Sequence, residues 1–581
     1  MQALAVVGAL GLAFASAYGF ARALLPSSRR DPLTLSVTTL GLSLGTLTLV
    51  MFWVAVLWPG RLTLAATIGP CIVVAGAGLW MEWKHRRADG REVAGTGPAA
   101  GWDPFSVALA VAIVLISAGI VFNAVYWPFV DSDALAIYAP LAKRTFESGA
   151  LPVGNLYEGY PMLVPLAYAY THWAAGSVNE YAARLVPAVM AVGAVGTAGA
   201  LGKEMRSPRV GLGSAGLVIL TPLFGRWASS GYVDVPASFY FTLTALFAWR
   251  WLKSPGWQDA LLTGVFAGLA MWTKSDTLTL GVSLTLLVGL RWWQSRRAAD
   301  SAALRWPQVA LMAVALMVVA APWYVRNLTV LGFFLPDTAW TSLARRDVAS
   351  LLVMLRDRGH FLASGWLFTA SLLYAGARTM VEGLQRPTAW VVLLGLVIPF
   401  LGAWWWWASY DARFLVTLVP VMSVLAASML DEAASFVATS GWHRRTAWLG
   451  ALAVLILTPF AFQKTVEGKR AILRDPWMSD SEKHHERLGG LYDLALQINL
   501  LPVGSRVVGV PALSLYHIES ARLNELSQAL PDGPPWDWGA AYDYAVYVFR
   551  QNRPSWYSSA TPIWISDDGY HVYSTRPPGS G

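Results

Sequence analysis

The chain has 581 residues, of which 55% are hydrophobic and 13% charged, with 30 tryptophans and a formal net charge of +8. That is far more apolar than a soluble globular protein of this length, so most of it is expected in a bilayer. The positive balance calls for no nucleic-acid partner, because polytopic proteins keep Lys and Arg in cytoplasmic loops; the single cysteine, Cys71, excludes an internal disulfide and a cysteine-based metal cluster.

Residues 2–25 are long and apolar enough to span a membrane and lack the basic start of a cleaved signal, which predicts a retained helix. Further apolar segments follow at 35–58, 62–82, 105–126, 182–201, 209–225, 235–252, 259–273, 275–290, 307–324, 362–380, 388–407, 412–430 and 446–462. About fourteen crossings result. Basic clusters at Arg29-Arg30, Lys84 to Arg87 with Arg91, Lys203 to Arg209, Lys253, Arg291 to Arg297, Arg386 and His443 to Arg445 fall at alternate helix ends. Positive charge marks the cytoplasmic side. One topology satisfies all of these clusters, and it places the N-terminus, the loops 130–161, 226–234 and 325–361, and the C-terminal tail on the outer face of an inner (plasma) membrane.

The outer loop 127–181 carries helical patterns of its own. Leu135, Ile137-Tyr138, Leu141-Ala142 and Thr145-Phe146 recur at spacings of three and four, which predicts an amphipathic interfacial helix ended by Gly149, Pro152 and Gly154. A second apolar stretch, Met162 to Trp173, predicts another interfacial helix. After Phe462 charged and turn residues become frequent, and Arg506–Val510, Tyr544–Phe549, Ile563–Ser566 and Tyr570–Tyr573 have strand composition. Asp567-Asp568-Gly569 reads as a hairpin turn. Residues 463–581 are therefore expected to form a soluble, extracytoplasmic α/β domain. Residues 1–104 are expected to form N-terminal helices with a cytoplasmic loop, and 105–462 the main membrane domain with the outer loop 127–181. The tail RPPGSG reads as disordered or a cloning remnant.

A charge at a helix centre in a bilayer costs about 2.5–3.5 kcal/mol on insertion scales, so charges at the ends of apolar helices are the ones to explain. On the outer side these are Asp131, Asp133, Arg226, Asp234, Arg326, Asp411 and Arg413, with Lys274 and Asp276 if the short segments at 259–290 meet there. Carboxylates and cations gathered on one side describe a site that binds an anion and removes a proton. For Asp131, Asp133 and Asp234 the plain alternative is helix capping, worth about 1 kcal/mol. For Lys274 it is a pair with Asp276, and for Arg326 and Arg413 it is snorkelling to headgroups. His484-His485 with Glu482 and Glu486 offer metal ligands, but a polar segment with no further ligand cluster reads better as a solvated helix. Trp404 to Trp407 read as an interfacial aromatic belt. No phosphate-binding Walker motif or nucleotide-sugar fingerprint occurs.

Four segments, in order over about residues 105 to 430, resemble the GT-C superfamily of polytopic glycosyltransferases, which includes protein O-mannosyltransferases and the lipid A aminoarabinose transferase. They are DSDALAIYAPLAKRTFESGALP, GYVDVPASFYF, GLAMWTKSDTL, and the pair PWYVRNLTVLGFFLPDT and RFLVTLVP. The resemblance implies an α-helical polytopic membrane protein of GT-C type. It implies transfer of a sugar from a polyprenyl-phosphate donor to an acceptor hydroxyl of a lipid, glycan or protein on the outer face, by inverting displacement. Asp133 then falls where the family's catalytic acid lies, with Asp131 as competitor and Asp234 assisting. Lys274, Arg326 and Arg413 fall to the donor phosphate, and Tyr138 and Asp276 to substrate. No metal ligand is assigned, although the two Asp residues beside a phosphate leave a divalent cation as a candidate cofactor. Three extra N-terminal helices and an Asp-Ser-Asp in place of a fused acidic pair depart from the family. A transporter or flippase of lipid-linked saccharides remains as one alternative, and it predicts charges near helix midpoints. The other is a non-catalytic membrane subunit.

Overall fold

The computed structural model describes residues 2–26, 30–89, 103–153, 158–297, 304–335, 339–384, 388–438, 443–519, 522, 525–549 and 554–576. Arg29, Arg91, Gly154, Arg386 and residues 577–581 of the tail lie outside these. Every apolar segment expected to cross the bilayer is helical. Among the described residues, nine helices are long and apolar enough to span a membrane. Among the other expected segments, Pro208–Leu220 is apolar but too short, with 13 residues.

The helices begin where local chemistry starts them. Asp31-Pro32, Asp103-Pro104 and Ser207-Pro208 each pair a capping side chain with a proline in the first turn, and each cap accepts a backbone N–H three residues on. The expected segment 209–225 is broken. Pro222 has no N–H to continue the ladder, so the chain ends one helix at Leu220 and turns into a short second one, Pro222–Trp227, which carries Arg226. Gly202 and Gly211 let Glu180–Met205 and Pro208–Leu220 approach closely, since a Cβ on Gly211 would lie 2.5 Å from the carbonyl oxygen of Gly199.

In the loop after Tyr126 the expected amphipathic helix starts as a π turn, Ala134–Tyr138, and continues as Ala139–Ser148. Gly149 ends it in the left-handed region (φ +63°), with its N–H on the Thr145 carbonyl. The second helix, Leu163–Ala175, differs from its expected place at the interface: every residue from Leu163 to His172 is buried. It is covered by the first interfacial helix and by Gln2–Leu24 and Pro32–Leu57.

The C-terminal part is a small α/β unit. Five strands, β1 (Val507–Val508), β2 (Leu526–Ser527), β3 (Tyr544–Val548), β4 (Trp564–Ile565) and β5 (Tyr570–Ser574), form a mixed sheet in the order β2-β1-β3-β5-β4. β1 is parallel to β2 and β3, while β5 runs antiparallel to β3 and β4. The β4–β5 hairpin turns at the expected Asp-Asp-Gly, with Gly569 at φ +86° and the Ser566 N–H on the Tyr570 carbonyl. The two-residue β2 is too short to carry a readable alternation and was not expected. One face of the sheet packs on Gly490–Leu500 through Leu494, Ile498, Val546 and Val572.

This unit sits at the end of the bundle that carries the loop 127–181. Lys143 donates to the carbonyls of Tyr516 (3.0 Å) and Ile518 (2.6 Å), and the Trp127 indole N–H donates to the Glu467 carbonyl (3.0 Å).

Candidate active site

Asp133 directly precedes the π turn, yet its side chain makes no capping hydrogen bond. The capping explanation therefore fails for it. Its Oδ2 lies 2.9 Å from the Arg413 guanidinium instead. Its backbone N–H donates to the Tyr232 hydroxyl at 2.9 Å, and that hydroxyl also meets Ser132 Oγ at 2.8 Å. Ser132 thus fixes the turn through Tyr232. Burial pushes the Asp133 carboxyl above the usual range, a shift that Arg413 opposes and Asp234 reinforces.

Asp131 turns the other way. Its Oδ1 accepts from Arg226 at 2.6 Å, and Arg226 is held on its far side by Glu467, also at 2.6 Å. Burial and the nearby Glu467 push Asp131 upward against the pull of Arg226. The side chain of Asp131 is 7% exposed, that of Asp133 28%. Because each acid faces its own guanidinium, the two carboxylates do not converge on a shared cation position.

Arg413, on the turn Ala412–Leu418, joins the rest of the cluster. Its Nε lies 3.6 Å from Asp411 and 3.9 Å from Asp234, and its guanidinium stacks over Tyr232 and Phe414 at 4.7 and 4.9 Å and over Trp227 at 5.4 Å. Asp234 opens the helix Asp234–Lys253 and takes Lys274 Nζ at 2.8 Å. Lys274 ends Trp257–Thr273, where it also reaches Asp276 at 2.7 Å and the Phe414 ring at 4.2 Å. The partner expected for Lys274 on plain grounds, Asp276, is present, and Asp234 joins it. Tyr138 is buried with its ring edge-on to Tyr232 and Tyr160. Asp133, Asp234, Lys274, Asp276 and Arg413 therefore form one charged network with Tyr138 beside it.

Arg326 stands apart from this network. Its guanidinium donates to the carbonyls of Pro152 (3.1 Å) and Glu158 (3.4 Å), so it holds the loop that follows the helix Ala139–Ser148. The Trp404–Trp407 run is divided: Trp404 is buried and donates to the Asp411 carbonyl, while Trp406 and Trp407 are about half exposed.

The network is short of positive charge. Lys274 and Arg413 face Asp133, Asp234, Asp276 and the half-exposed Asp411. Among the described residues both cations of this network, Lys274 and Arg413, are already paired, so an anion that binds to either displaces a carboxylate from it. A polar cavity of about 520 Å³ borders the network at Tyr410 and Asp411, lined further by Arg345, Arg356 and His360. A larger cavity of about 880 Å³ lies elsewhere, among apolar side chains of Pro32–Leu57, Glu180–Met205 and Pro208–Leu220.

Sequence reasoning did not single out Tyr232, Trp227 and Phe414, the aromatic frame of Arg413, nor Glu467. The only signal for the first three was their position beside the charged residues. The four proposed ligands around His484 separate. Glu482 closes a capping box with Ser479, Glu486 pairs with Arg474 at 2.6 Å, and His485 with Asp493 at 2.6 Å. The solvated-helix reading fits these three and fails for His484, which is 3% exposed and meets Glu180 at 2.7 Å.

Residues 161–324 match the family model described as dolichyl-phosphate-mannose-protein mannosyltransferase. Comparison with curated protein sequences returns no match. Among solved structures, ArnT from Cupriavidus metallidurans bound to undecaprenyl phosphate is 15% identical over 81% of this chain and 99% of that one, with a TM-score of 0.54. The same protein in the apo state gives 15%, 80%, 98% and 0.53. The archaeal oligosaccharyltransferase AglB from Archaeoglobus fulgidus, in complex with an inhibitory peptide and a dolichol-phosphate, is 14% identical over 75% of this chain and 69% of that one, with a TM-score of 0.46. The resemblance to the GT-C superfamily drawn from the four motifs thus holds at the level of fold: a multi-pass helical membrane protein with a small C-terminal sheet unit.

Proposed function

We propose that this chain is a membrane glycosyltransferase that takes a sugar from a polyprenyl-phosphate donor and passes it to an acceptor hydroxyl, with Asp133 as the base. The observation that carries the reading is the Arg413 guanidinium, shared by Asp133 and Asp234 at the same end of the bundle as the helix Ala139–Ser148. The family match over 161–324 and the fold shared with a protein crystallised on undecaprenyl phosphate support the donor class.

The charge deficit gives the reaction its order. A donor phosphate takes the place of Asp133 on Arg413, since the two non-bridging oxygens of the donor's phosphodiester anion make a better bidentate partner than one carboxylate oxygen. Asp133 is then unpaired, and its raised affinity for a proton suits a general base. The acceptor oxygen attacks the anomeric carbon, its proton passes to Asp133, and the bond from that carbon to the phosphate oxygen breaks. The negative charge left on the lipid phosphate is held by Arg413 and Lys274. Asp234 and Asp276 keep Lys274 in place, and Tyr232 keeps the Asp133 turn in place. The polar cavity beside Asp411 gives room for the acceptor, and Arg326 acts through the loop it holds. The outer face of the plasma membrane is the expected side, because the basic clusters lie at the opposite helix ends.

The test is transfer from a panel of radiolabelled polyprenyl-phosphate sugars by purified protein. Asp133→Asn is expected to lower turnover by about 10²–10⁴-fold, while Asp131→Asn keeps most of it wherever the variant is folded. Equal turnover in wild type and Asp133→Asn removes the base assignment. No transfer from any donor in the panel removes the enzymatic reading in favour of transport or a silent subunit.

A further inference from the structure

Glu180, His484 and His517 each bring one ligand atom to a common point where the bundle meets the C-terminal unit. These atoms all lie within 4.8 Å of one another. Glu180 stands in the first turn of Glu180–Met205 and His484 lies 304 residues further on. His517 ends the turn Ala512–His517, and its ring sits edge-on to His484 at 5.1 Å. Nothing in the proposed transfer reaction uses them.

Hydrogen bonds already made on the outer side of His484 and Glu180 decide what the inner side can hold. His484 Nδ1 lies 2.7 Å from the Asp480 carbonyl, an acceptor, so that nitrogen carries the proton. Its Nε2 then faces Glu180 Oε1 at 2.7 Å, and two lone pairs at that distance need a positive charge between them. The other Glu180 oxygen accepts the Phe129 N–H at 2.7 Å, which fixes the carboxylate in its orientation. A proton on His484 Nε2 satisfies two of the three groups. It does nothing for His517 Nε2, a buried nitrogen with no hydrogen-bond partner among the described residues. A metal ion satisfies all three together. Backbone partners on the far nitrogen of one imidazole and the far oxygen of the carboxylate are what metal-binding side chains ordinarily have.

We infer that Glu180, His484 and His517 form a zinc site that fastens the C-terminal unit to the membrane bundle. Two imidazoles and a carboxylate suit Zn²⁺ better than the hard cations, which prefer all-oxygen sites. Bonds of about 2.0–2.1 Å around a tetrahedral ion set neighbouring ligand atoms about 3.3 Å apart, so binding parts Glu180 Oε1 and His484 Nε2 from their 2.7 Å contact and seats the ion between them and His517. Water completes the fourth position. The role is structural: Tyr516 and Ile518, on either side of His517, hold Lys143 on the helix that follows Asp133. Filling the site therefore fixes the C-terminal unit against the segment that carries the proposed base.

The experiment uses the full chain, free of any affinity tag, stripped with a chelator and re-equilibrated in zinc-buffered solution. Metal content is measured by mass spectrometry, and thermal unfolding is followed with and without zinc. Wild type is expected to hold about one zinc per chain, with a melting temperature that rises with free zinc as it must for a ligand of the folded state. His517→Ala and His484→Ala are expected to lose both the metal and the zinc-dependent rise. His485→Ala, which removes the exposed neighbouring imidazole, keeps both. Since His517→Ala removes only the group that a proton cannot satisfy, it separates the zinc site from a plain His484–Glu180 pair. A wild-type chain that takes up no zinc, or a His517→Ala chain that binds it as well as wild type, overturns the inference, and neither outcome bears on the transfer reaction.

Discussion

Two acids two residues apart, Asp131 and Asp133, end up with different partners, and the difference predicts different phenotypes. Asp133 is the more accessible and its pairing cation also touches Asp234. Asp131 is committed to Arg226. If Asp133 is the base, the rate depends on its ionised form. Burial raises its pKa, so the ionised form is lost as pH falls through a value above the ordinary carboxylate range. The expected kcat/KM profile has an acid limb displaced upward from about 3.9, the free Asp value. The same limb should be absent from the residual activity of Asp133→Asn. A profile flat down to the pH at which the protein unfolds contradicts this. The sequence set Asp133 ahead of Asp131 only through its place before the helix and the family resemblance, because what separates them physically is contacts with Arg226, 95 positions from Asp131, and Arg413, far later in the chain. His484 was illegible for the same reason: its neighbours in sequence are polar, and the partner that buries it is 304 positions away.

At the scale of elements, periodicity and caps carried the reading further. The amphipathic spacing from Leu135 to Phe146 marked a helix, and the helix is there. Its π start was not readable, since a π turn has no sequence signature comparable to a cap. Nor was the burial of Leu163–Ala175, because an apolar segment looks the same at an interface and inside a bundle. The Asp131–Asp133 turn, which leads into the π turn Ala134–Tyr138, packs against Gly231. Gly231 sits at φ +86°, and a Cβ there would stand 2.5 Å from the Phe129 ring and 3.1 Å from Ala134 Cβ. Gly231→Ala should therefore destabilise by about 1–2 kcal/mol through the backbone and about 1–3 kcal/mol more through overpacking. Gly332→Ala, at φ +78° with open space around it, carries the backbone part alone. Melting of the two variants in detergent checks the difference. Equal losses mean that Phe129 yields freely and that the Asp131–Asp133 turn is not held by this contact.

Across the whole molecule, the fold class and the separation of a helical bundle from a C-terminal sheet unit followed from hydropathy and composition, since both are sums over many residues. The junction between them was not legible, because it rests on single charges. Glu467, just past the helix His443–Thr465, accepts from Arg226 through Oε1 at 2.6 Å and from Arg487 through Oε2. Its N–H donates to Asn123 Oδ1 at 3.0 Å, and its carbonyl accepts the Trp127 indole. Arg226 continues the chain of charge to Asp131. The bundle, the loop of the proposed base and the C-terminal unit thus share one partly buried guanidinium. Removing either of its acids leaves that guanidinium half-paired, so Glu467→Gln and Asp131→Asn should each lower stability. The second loss should be larger once the first has been made, because it takes the remaining acid from Arg226 and no longer relieves the repulsion between the two carboxylates. A double-mutant cycle by thermal melting is expected to give a coupling of about 0.5–3 kcal/mol. Strict additivity would mean that the two acids are held independently, and that the C-terminal unit has no energetic line through Arg226 to the loop bearing Asp133.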